Sequence, residues 1–501
     1  MKNRLSFLAA LVGLTLVTAE LRAAAARPNI LWIVSEDNSP QLGCYGDPYA
    51  RTPNLDTLAR DGVRFTNAAV PYSVCSPSRA AFLTGLYPQQ NGQLGLTTQR
   101  FAMYRASTPG VVTRLQAAGY RTGLIGKLHV RPEAAFPFDF RGITGANFNR
   151  EVPIENYTAE ARKFWAASAD RPWFLSVNFP DAHLPFVRQA GGHPERLLKG
   201  TDVKPLPWVG VDSARLRDVT ADYYNCMARL DIAVGQLLAA LQASGAAENT
   251  LVIYFSDHGA QFPRGKYSLY EGGLKVPMLI RWPGRTSTGL VRQELVSTLD
   301  LLPTVLQATG LPLAPELPGR ALQPLLRSGA TTGWREYSFA VAAQYFVQES
   351  VRNDRWKLIW SPPQPRPNQL AVAYLDENQR SHQVSGLTAE ERAGVSAPMK
   401  RVLDRWEDPP LYELYDLKND PYELENLADD SRHTVIKNTL IGAMRQLQVQ
   451  IRDPFSEPRH VEAFANEQKA MREKWAGPGY PADFSWSYIK DFHEWRERRS
   501  P

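Results

Sequence analysis

The sequence is organised around the stretch Cys75-Ser76-Pro77-Ser78-Arg79, which Ala80-Ala81-Phe82-Leu83-Thr84-Gly85 continues. Ser76 is a good helix cap, Pro77 fits the first helical position, and the residues after Arg79 propagate a helix. Cys75 is therefore predicted to stand just before a helix N-terminus, where backbone N–H groups and the helix dipole favour an anion. Arg79 adds a planar cation suited to sulfate or phosphate. The alternative interpretation is an ordinary buried cysteine before a capped helix.

The bulk composition indicates an ordinary globular protein. The chain has 501 residues, of which 44% are hydrophobic and 22% charged, and this length allows a large core and two domains. The formal net charge of +6 is a mild surplus that says little about partners, and no nucleic-acid partner is predicted. A few local arginines and lysines would be enough to build a site for a polyanion.

The N-terminus has the pattern of a secretory signal peptide. Lys2 and Arg4 precede an apolar run at 5–17, and the alanines at 23–26 are small residues suited to cleavage. This predicts a signal peptide over residues 1–26 and export to the periplasm or the medium, with a retained N-terminal anchor as the alternative. No later stretch is apolar enough to predict stable membrane insertion.

The protein has three cysteines, Cys44, Cys75 and Cys226, too few for a disulfide framework. If Cys75 is modified, Cys44 and Cys226 remain, and the sequence leaves their pairing open. Stability must therefore come from the core.

Predicted strands alternate with predicted helices through the first two thirds of the chain. Continuous apolar runs at 29–34, 120–125, 173–179 and 250–255 predict strands covered on both faces, and an amphipathic run at 217–243 predicts a long helix. This alternation is typical of an α/β fold with a mainly parallel sheet between layers of helices. In such sheets the ligand crevice lies outside the carboxyl ends of the strands.

Charged and imidazole side chains follow each of these strands. They are Glu36, Asp37, Lys127, His129, His183, Asp257 and His258. Because parallel strands end at one edge of a sheet, the pattern predicts a single active site there, without reference to any family.

The acids and basic residues suggest different chemistry. Glu36, Asp37 and Asp257 are interpreted as oxygen ligands for Ca²⁺ or Mg²⁺, the alternative being solvated loop acids. Lys127 and His129 lie two residues apart and point the same way on an extended strand end, which suits sulfate binding and proton transfer.

Three further residues are weak signals when taken alone. His258 alone would be a hydrogen-bonded core histidine, and His183 carries little information. Lys266 lies in a glycine-rich loop at 265–273 and would ordinarily be a solvated lysine.

Beyond about residue 332 the pattern changes to short strands, a proline-rich loop at 362–368 and a helix at 434–452. We therefore predict a catalytic domain over 27–335 and a smaller C-terminal α+β domain over 336–501, which contains an antiparallel sheet and a surface tail.

Taken together, these residues resemble the type I, formylglycine-dependent sulfatases, whose signature is C-x-P-S-R followed by L-T-G. Residues from 28 to about 283 resemble the sulfatase domain of the alkaline phosphatase superfamily, motif by motif and in order. Several stretches are similar to the sulfamidase (N-sulfoglucosamine sulfohydrolase) subgroup. They lie at 75–85, 90–92, 121–130, 136–140, 413–416, 420–421 and 425–428.

The resemblance implies an alkaline-phosphatase-like large mixed sheet and a specific mechanism. A maturation enzyme would convert Cys75 to formylglycine, whose hydrate attacks sulfur and forms a covalent sulfate ester. His183 and Lys266 would bind the sulfate and assist the departing group, and His129 would take a proton so that sulfate is expelled. The remaining members of the implied catalytic set are Arg79 and Lys127, which would hold the aldehyde hydrate and the sulfate oxygens.

The implied metal is Ca²⁺. Its ligands would be Glu36, Asp37, Asp257, His258 and the modified residue at position 75. Glu36 stands where the family usually has aspartate, and many relatives have asparagine in place of His258.

The sequence therefore predicts an exported, calcium-dependent sulfatase that releases sulfate from a sulfated saccharide. The preferred hypothesis for the substrate is N-sulfated glucosamine at the end of heparin or heparan fragments, and an O-sulfated polysaccharide is the close alternative. A phosphoester or phosphonate-ester hydrolase of the same superfamily and a non-catalytic protein that binds sulfated glycans are the other hypotheses.

Overall fold

The computed structural model describes residues 27–144, 152–168, 171–376, 384–475 and 479–499. The predicted signal peptide, residues 1–26, lies outside the described residues.

Fourteen strands and fourteen α-helices are present in the described ranges. The strands are β1 (Asn29–Ser35), β2 (Val63–Phe65), β3 (Ala68–Ala69), β4 (Arg121–Gly126), β5 (Phe140–Gly142), β6 (Trp173–Asn178), β7 (Thr250–Ser256), β8 (Met278–Arg281), β9 (Leu290–Arg292), β10 (Val296–Ser297), β11 (Ser338–Ala342), β12 (Gln348–Arg352), β13 (Trp356–Trp360) and β14 (Tyr412–Asp416). The helices are α1 (Pro53–Arg60), α2 (Cys75–Thr84), α3 (Pro88–Asn91), α4 (Val111–Ala117), α5 (Ile154–Ala166), α6 (Ala214–Ala243), α7 (Glu271–Leu274), α8 (Leu301–Ala308), α9 (Gln369–Leu375), α10 (Ala389–Ala393), α11 (Ala397–Glu407), α12 (Thr434–Ile451), α13 (Pro458–Trp475) and α14 (Tyr488–Glu497).

The main sheet has eight strands in the order β5-β4-β6-β1-β7-β8-β2-β9. Strand β8 runs antiparallel to both of its neighbours, and every other neighbouring pair is parallel. Strand β1 lies between β6 and β7, with Val34 opposite Asn178 and Ser35 opposite Ser256. The prediction of a large mixed sheet flanked by helices is confirmed.

Helix α2 packs on this sheet through aromatic side chains. The Trp32 ring meets Phe82, Phe174 and Phe255 edge to face, with centroid distances of 5.9, 5.0 and 5.7 Å. Phe82 belongs to α2, whereas the other rings belong to central strands, so this cluster holds the helix against the sheet. The first turn of α2 is thereby positioned near the carboxyl ends of the strands.

Helix α6 is the one described helix that is long and apolar enough to cross a membrane, and 61% of its most apolar window is buried in the protein. This differs from the prediction that no stretch after the N-terminus is apolar enough for membrane insertion. The helix contains charged residues, among them Arg229 and Asp231. Packing against α1 and α5 places α6 in the core.

A second sheet, β11-β12-β13-β14, is antiparallel and has α12 packed against it. Its first strand ends at Ala342, because the backbone N–H groups of Ala343 and Gln344 donate to the Tyr72 hydroxyl at 2.8 Å instead of continuing the strand. These hydrogen bonds join the second sheet to the loop before α2. The small antiparallel C-terminal sheet is confirmed, and a domain boundary near residue 335 stays a prediction.

Cys44 and Cys226 form no disulfide bond. The Cys226 thiol lies 3.4 Å from the Val187 carbonyl oxygen and behaves as a core side chain.

Candidate functional site

The predicted site residues meet at one edge of the main sheet. Strands β4, β6, β1 and β7 are parallel neighbours, so the residues that follow them converge. All ten predicted residues lie close together at this edge and form one cluster: Glu36, Asp37, Cys75, Arg79, Lys127, His129, His183, Asp257, His258 and Lys266. All are buried except His183, whose side chain is 13% exposed.

Cys75 is the first residue of α2 rather than the residue before it. Val74 is extended and occupies the capping position, and no side chain caps this helix. The Ser76 hydroxyl, predicted to be the cap, accepts a hydrogen bond from the Thr97 N–H at 3.1 Å instead. The Cys75 Sγ lies 3.2 Å from the His258 Nε2 and 3.9 Å from both Glu36 Oε1 and Asp37 Oδ1.

Asp37 has a left-handed backbone conformation, with φ of 56°. Successive side chains of a strand point to opposite faces, and this turn lets Glu36 and Asp37 both reach the cluster. The Asp37 N–H donates to Asp257 Oδ1 at 3.1 Å, which ties the end of β1 to the end of β7. A non-glycine residue held in this conformation is common at functional sites.

Three cationic side chains contact the three carboxylates. The Lys127 ammonium contacts Glu36, and the Lys266 Nζ lies 2.9 Å from Asp37 Oδ2. Arg79 donates through Nε to Asp257 Oδ2 at 3.0 Å.

Sequence reasoning missed residues that orient these groups. Arg79 also donates to Asn178 Oδ1 at 2.9 Å and to the Lys127 carbonyl at 3.1 Å. The Ser78 hydroxyl donates to the Asp257 carbonyl, and Gln261 lies 3.3 Å from the Lys266 Nζ. Asn178 could have been predicted from the sequence, because it is the polar residue that ends β6 at the same edge of the sheet.

Opposite charges shift the pKa values of the buried groups. Burial by itself raises the pKa of the Asp257 carboxyl, but His258 and Arg79 hold it well below its usual range. Burial lowers the pKa of the His258 imidazole, but Asp257 and Asp37 raise it to about 9. Lys266 is also buried, and Asp37 raises the pKa of its ammonium above the usual value.

The other two histidines have the opposite shift. Burial, assisted by the charge of Lys127, lowers the pKa of His129 well below its usual value. Burial and Lys266 lower the pKa of His183 in the same way. Both imidazoles are therefore neutral at pH 7, and neither ring nitrogen of His129 has a hydrogen-bond partner in the described part of the chain. His183 donates from Nδ1 to the Leu184 carbonyl at 2.6 Å, so its Nε2 faces Glu36 Oε1 at 4.0 Å.

The donor atoms of the cluster fit a divalent cation. One set of ligand atoms within 4.8 Å of one another comes from Asp37, Cys75, Asp257 and His258, and a second overlapping set adds Glu36 and His183. The Glu36 Oε2 is buried without a hydrogen-bond partner among the described residues. His258 donates from Nδ1 to the Gly259 carbonyl at 2.9 Å, which directs its Nε2 to the carboxylates, as in histidines that bind metals.

A cavity of about 480 Å³ leads to this edge of the sheet and is lined by Lys127, His129, Arg131 and the start of the loop after β5. A larger cavity of about 850 Å³ lies near Arg27 and Trp173, beside the amino ends of the strands, and contains none of the predicted residues. Of these two cavities, the smaller is the one lined by predicted site residues, Lys127 and His129.

Comparisons with known proteins agree with this geometry. The family model described as sulfatase matches residues 28–311, and the model described as the C-terminal part of N-sulphoglucosamine sulphohydrolase matches residues 262–365. The chain is 30% identical to human N-sulphoglucosamine sulphohydrolase, over 86% of this chain and 92% of the human protein. It is 29% identical to an ulvan-active sulfatase of Formosa agariphila, over 84% of this chain and 80% of that protein.

Solved structures share the fold. A protein in complex with its substrate D-glucosamine-2-N,6-O-disulfate has a TM-score of 0.63 at 18% identity and covers 86% of this chain and 99% of its own. The phosphonate monoester hydrolase of Agrobacterium radiobacter has a TM-score of 0.61 at 21% identity, with coverage of 85% and 96%. With the sulfatase model matching more than half of the sequence, and a relative at 30% identity aligned along most of it, the chain belongs to the sulfatase family and is a hydrolase of sulfate esters or sulfamates.

Proposed function

We propose that the protein is an exported enzyme that releases inorganic sulfate from a sulfated saccharide, with N-sulfated glucosamine of heparin or heparan fragments as its first substrate. The observation that carries the proposal is the buried thiol of Cys75, held 3.2 Å from His258 and 3.9 Å from two carboxylates at the edge where cationic side chains also converge. The similarity to human N-sulphoglucosamine sulphohydrolase supports the choice of an N-sulfated substrate.

The active enzyme would need one modified residue and one bound metal ion. Formylglycine, formed from Cys75 by an oxidising maturation enzyme, would supply the hydroxyl nucleophile. Ca²⁺ would be held by Glu36, Asp37, Asp257, His258 and residue 75, and its charge would favour the ionised form of a nearby hydroxyl.

The cationic side chains would bind and orient the sulfate group. Arg79 is held by Asp257 and Asn178, so its guanidinium is fixed before substrate arrives. Lys127 contacts Glu36. Bound sulfate oxygens would receive hydrogen bonds from these preorganised donors, whose orientation requires little rearrangement during the reaction.

The histidines and Lys266 have protonation states suited to separate proton transfers. The raised pKa of Lys266 keeps its ammonium charged, so it can donate a hydrogen bond to the departing amine or hydroxyl. The His183 Nε2 lies near Glu36, and it would orient the departing amine or hydroxyl of the substrate. The lowered pKa of His129 keeps its imidazole neutral, so one of its unpartnered nitrogens can accept the proton whose removal expels sulfate.

A panel of saccharides tests this proposal. The purified, matured protein is incubated with N-, 2-O-, 3-O- and 6-O-sulfated glucosamine or uronate saccharides, and free sulfate is measured. Preferred release from the N-sulfated substrate supports the proposal. Release from O-sulfated substrates only would assign the protein to the second candidate, an O-sulfatase, which the similarity to an ulvan-active sulfatase favours.

The phosphonate monoester hydrolase with the same fold motivates a further arm of the same assay. Aryl sulfate and aryl phosphate esters are compared at equal concentration. Faster hydrolysis of the phosphate ester would contradict the proposed substrate class.

Export is tested separately from chemistry. The full chain is expressed in a bacterial host, and the N-terminus of the protein recovered from the periplasm is sequenced. A mature chain that begins near Arg27 supports the proposed signal peptide, whereas a full-length chain retained in the membrane fraction supports an anchor.

A further inference from the structure

The cavity beside the cluster is lined by basic side chains that the reaction itself does not use. Beyond Lys127 and His129, its wall includes Arg100, Arg131 and Arg141. Arg100 lies in the loop after α3, Arg131 follows β4, and Arg141 belongs to β5. Three separate segments of the chain therefore bring guanidinium groups to one cavity.

Two of these arginines have no carboxylate partner within the described ranges. Arg141 donates to Glu133 Oε2 at 2.9 Å, so its charge is balanced by the acid next to it on the cavity wall. Arg100 donates to the Tyr480 carbonyl at 3.4 Å, a neutral and distant acceptor. One guanidinium nitrogen of Arg131, NH1, is buried and has no hydrogen-bond partner in the described structure.

Buried donors without acceptors are costly, and most are satisfied in folded proteins. An acidic group bound in this cavity would supply a hydrogen-bond acceptor to Arg131 and a negative charge to both Arg100 and Arg131, which pair with no carboxylate among the described residues. The cavity volume of about 480 Å³ is in the range that holds a small ligand, so a saccharide ring can enter with its substituents.

We propose that Arg100 and Arg131 form a second anion subsite, which binds a sulfate or carboxylate group of the saccharide other than the sulfate that is released. The proposal rests on the proposed function and narrows its substrate class to saccharides with at least two acidic groups. Arg141, restrained by Glu133, flanks this subsite. Arginine suits the role because its planar guanidinium binds sulfate and carboxylate oxygens in pairs.

Steady-state kinetics on matched substrates test the subsite. The substrates are glucosamine N-sulfate, glucosamine 2-N,6-O-disulfate, and N-sulfated glucosamine linked to a uronate. The measured quantity is kcat/KM for each diacidic substrate divided by kcat/KM for the monosulfate. In the double variant Arg100→Gln/Arg131→Gln this ratio is expected to fall about 10- to 150-fold, the effect of one hydrogen-bonded charge pair.

The two diacidic substrates separate the possible ligands. A fall limited to the disulfate assigns the subsite to sulfate, and a fall limited to the uronate substrate assigns it to carboxylate. Either result supports the subsite. An unchanged ratio for both substrates overturns it.

Matched variants separate charge from folding. Arg105→Gln removes an exposed arginine in the same region, one that pairs with Glu497 outside the cavity, and it is expected to keep the wild-type ratio. Arg131→Lys retains the charge and is expected to recover part of the ratio lost in Arg131→Gln. Equal ratios in Arg131→Lys and Arg131→Gln, both below wild type, would show that packing rather than charge is responsible and would overturn the proposal.

A failure of the proposed function gives a different result. If the wild-type protein releases no sulfate from any of these substrates, the proposed function is contradicted while the subsite can still be measured by calorimetry. Full-length protein with Cys75→Ala is titrated with glucosamine 2-N,6-O-disulfate. Binding weakened about 10-fold or more by Arg100→Gln/Arg131→Gln supports the subsite, and unchanged binding overturns it.

Discussion

Two clusters of buried charges differ in what surrounds them. The first lies at the carboxyl ends of β1, β4, β6 and β7, where Cys75 meets acids and bases beside a cavity. The second joins α7 to the second sheet: the Lys357 Nζ lies 3.1 Å from Glu271 Oε1 and 2.8 Å from Glu423 Oε1, and Arg352 lies 2.5 Å from Glu271 Oε2. We call this second cluster the interdomain network.

The interdomain network, like the first cluster, pairs each of its carboxylates with a cation. Burial raises the pKa of Glu271, but Arg352 and Lys357 lower it to about 2, so Glu271 remains ionised at neutral pH. Burial raises the pKa of Glu423 above its usual value. The first cluster has a buried Glu36 oxygen and two His129 nitrogens without partners among the described residues. Burial of charge therefore does not by itself mark a functional site. Unpartnered polar atoms next to a cavity are the more informative sign.

The largest effect is expected from Cys75→Ala. This change removes the precursor of the nucleophile, and sulfate release should fall at least ~10³-fold because the remaining groups cannot form the covalent bond. The midpoint of thermal unfolding should change little, since the variant loses one sulfur atom. Sulfate release and thermal unfolding are measured on the same preparation, and turnover equal to wild type would contradict the mechanism.

The next effect concerns the interdomain network. Lys357→Met leaves Glu271 and Glu423 buried without their shared cation, and the free energy of unfolding should fall by about 3 to 5 kcal/mol. Denaturant unfolding measures this loss. Lys400→Met is the matched control, because Lys400 is exposed and pairs with Asp404 one helical turn away, so its loss should be below ~0.5 kcal/mol. Equal losses in the two variants would contradict the role of the network.

Cation binding should distinguish the two clusters. Ca²⁺ at about 100 times its dissociation constant should raise the free energy of unfolding of the chelator-treated protein by about 2.7 kcal/mol. Asp37→Asn should abolish this gain, because it removes a carboxylate from the cluster. The gain should persist in Lys357→Met, whose changed side chain lies in the other cluster. Thermal unfolding with Ca²⁺, with Mg²⁺ and with chelator makes the comparison, and a full gain in Asp37→Asn would exclude the proposed ligand set.

The smallest effect involves a carboxyl pair apart from both clusters. Glu349 accepts from Gln448 Nε2 at 2.6 Å, and Asp453 accepts from Gln89 Nε2 at 2.8 Å, with Arg496 also near Asp453. Burial, together with Asp453, raises the pKa of Glu349 well above its usual value. The folded protein therefore keeps a proton that the unfolded chain loses.

The contribution of this pair to the free energy of unfolding is expected to fall as the pH rises from the ordinary carboxyl pKa towards the raised pKa of Glu349. Glu349→Gln removes the titration, so the free energy of unfolding of the variant relative to wild type should increase by about 1 to 2 kcal/mol between pH 5 and pH 8. Urea unfolding at several pH values measures this difference. A difference that stays constant with pH would show that the pair does not retain the proton.

Much of the fold could be predicted because the central strands are continuous apolar runs in the sequence. The apolar runs that form β1, β6 and β7 are buried on both faces, and polar residues directly follow β1 and β7. The prediction that these residues share one edge needed only the parallel order of the strands. The antiparallel direction of β8 was not predictable, since a short apolar run carries no information on its direction.

Finer features of the site depend on tertiary contacts. The left-handed conformation of Asp37 and the capping of α2 by Val74 rather than Ser76 arise where the chain meets β7 and the loop at Thr97. Arg100 and Arg131 line the same cavity, although they belong to two separate segments, the loop after α3 and the segment after β4. No spacing in the sequence brings such residues together.

In the working enzyme, we expect residue 75 to carry an aldehyde where the chain encodes a thiol. Mass spectrometry of the peptide that contains residue 75, taken from a preparation that is releasing sulfate, tests it most directly. We expect a peptide mass in which the cysteine sulfur has been replaced by a carbonyl oxygen, in proportion to the activity of the preparation. A fully active preparation whose residue 75 retains its sulfur would rule out the formylglycine mechanism.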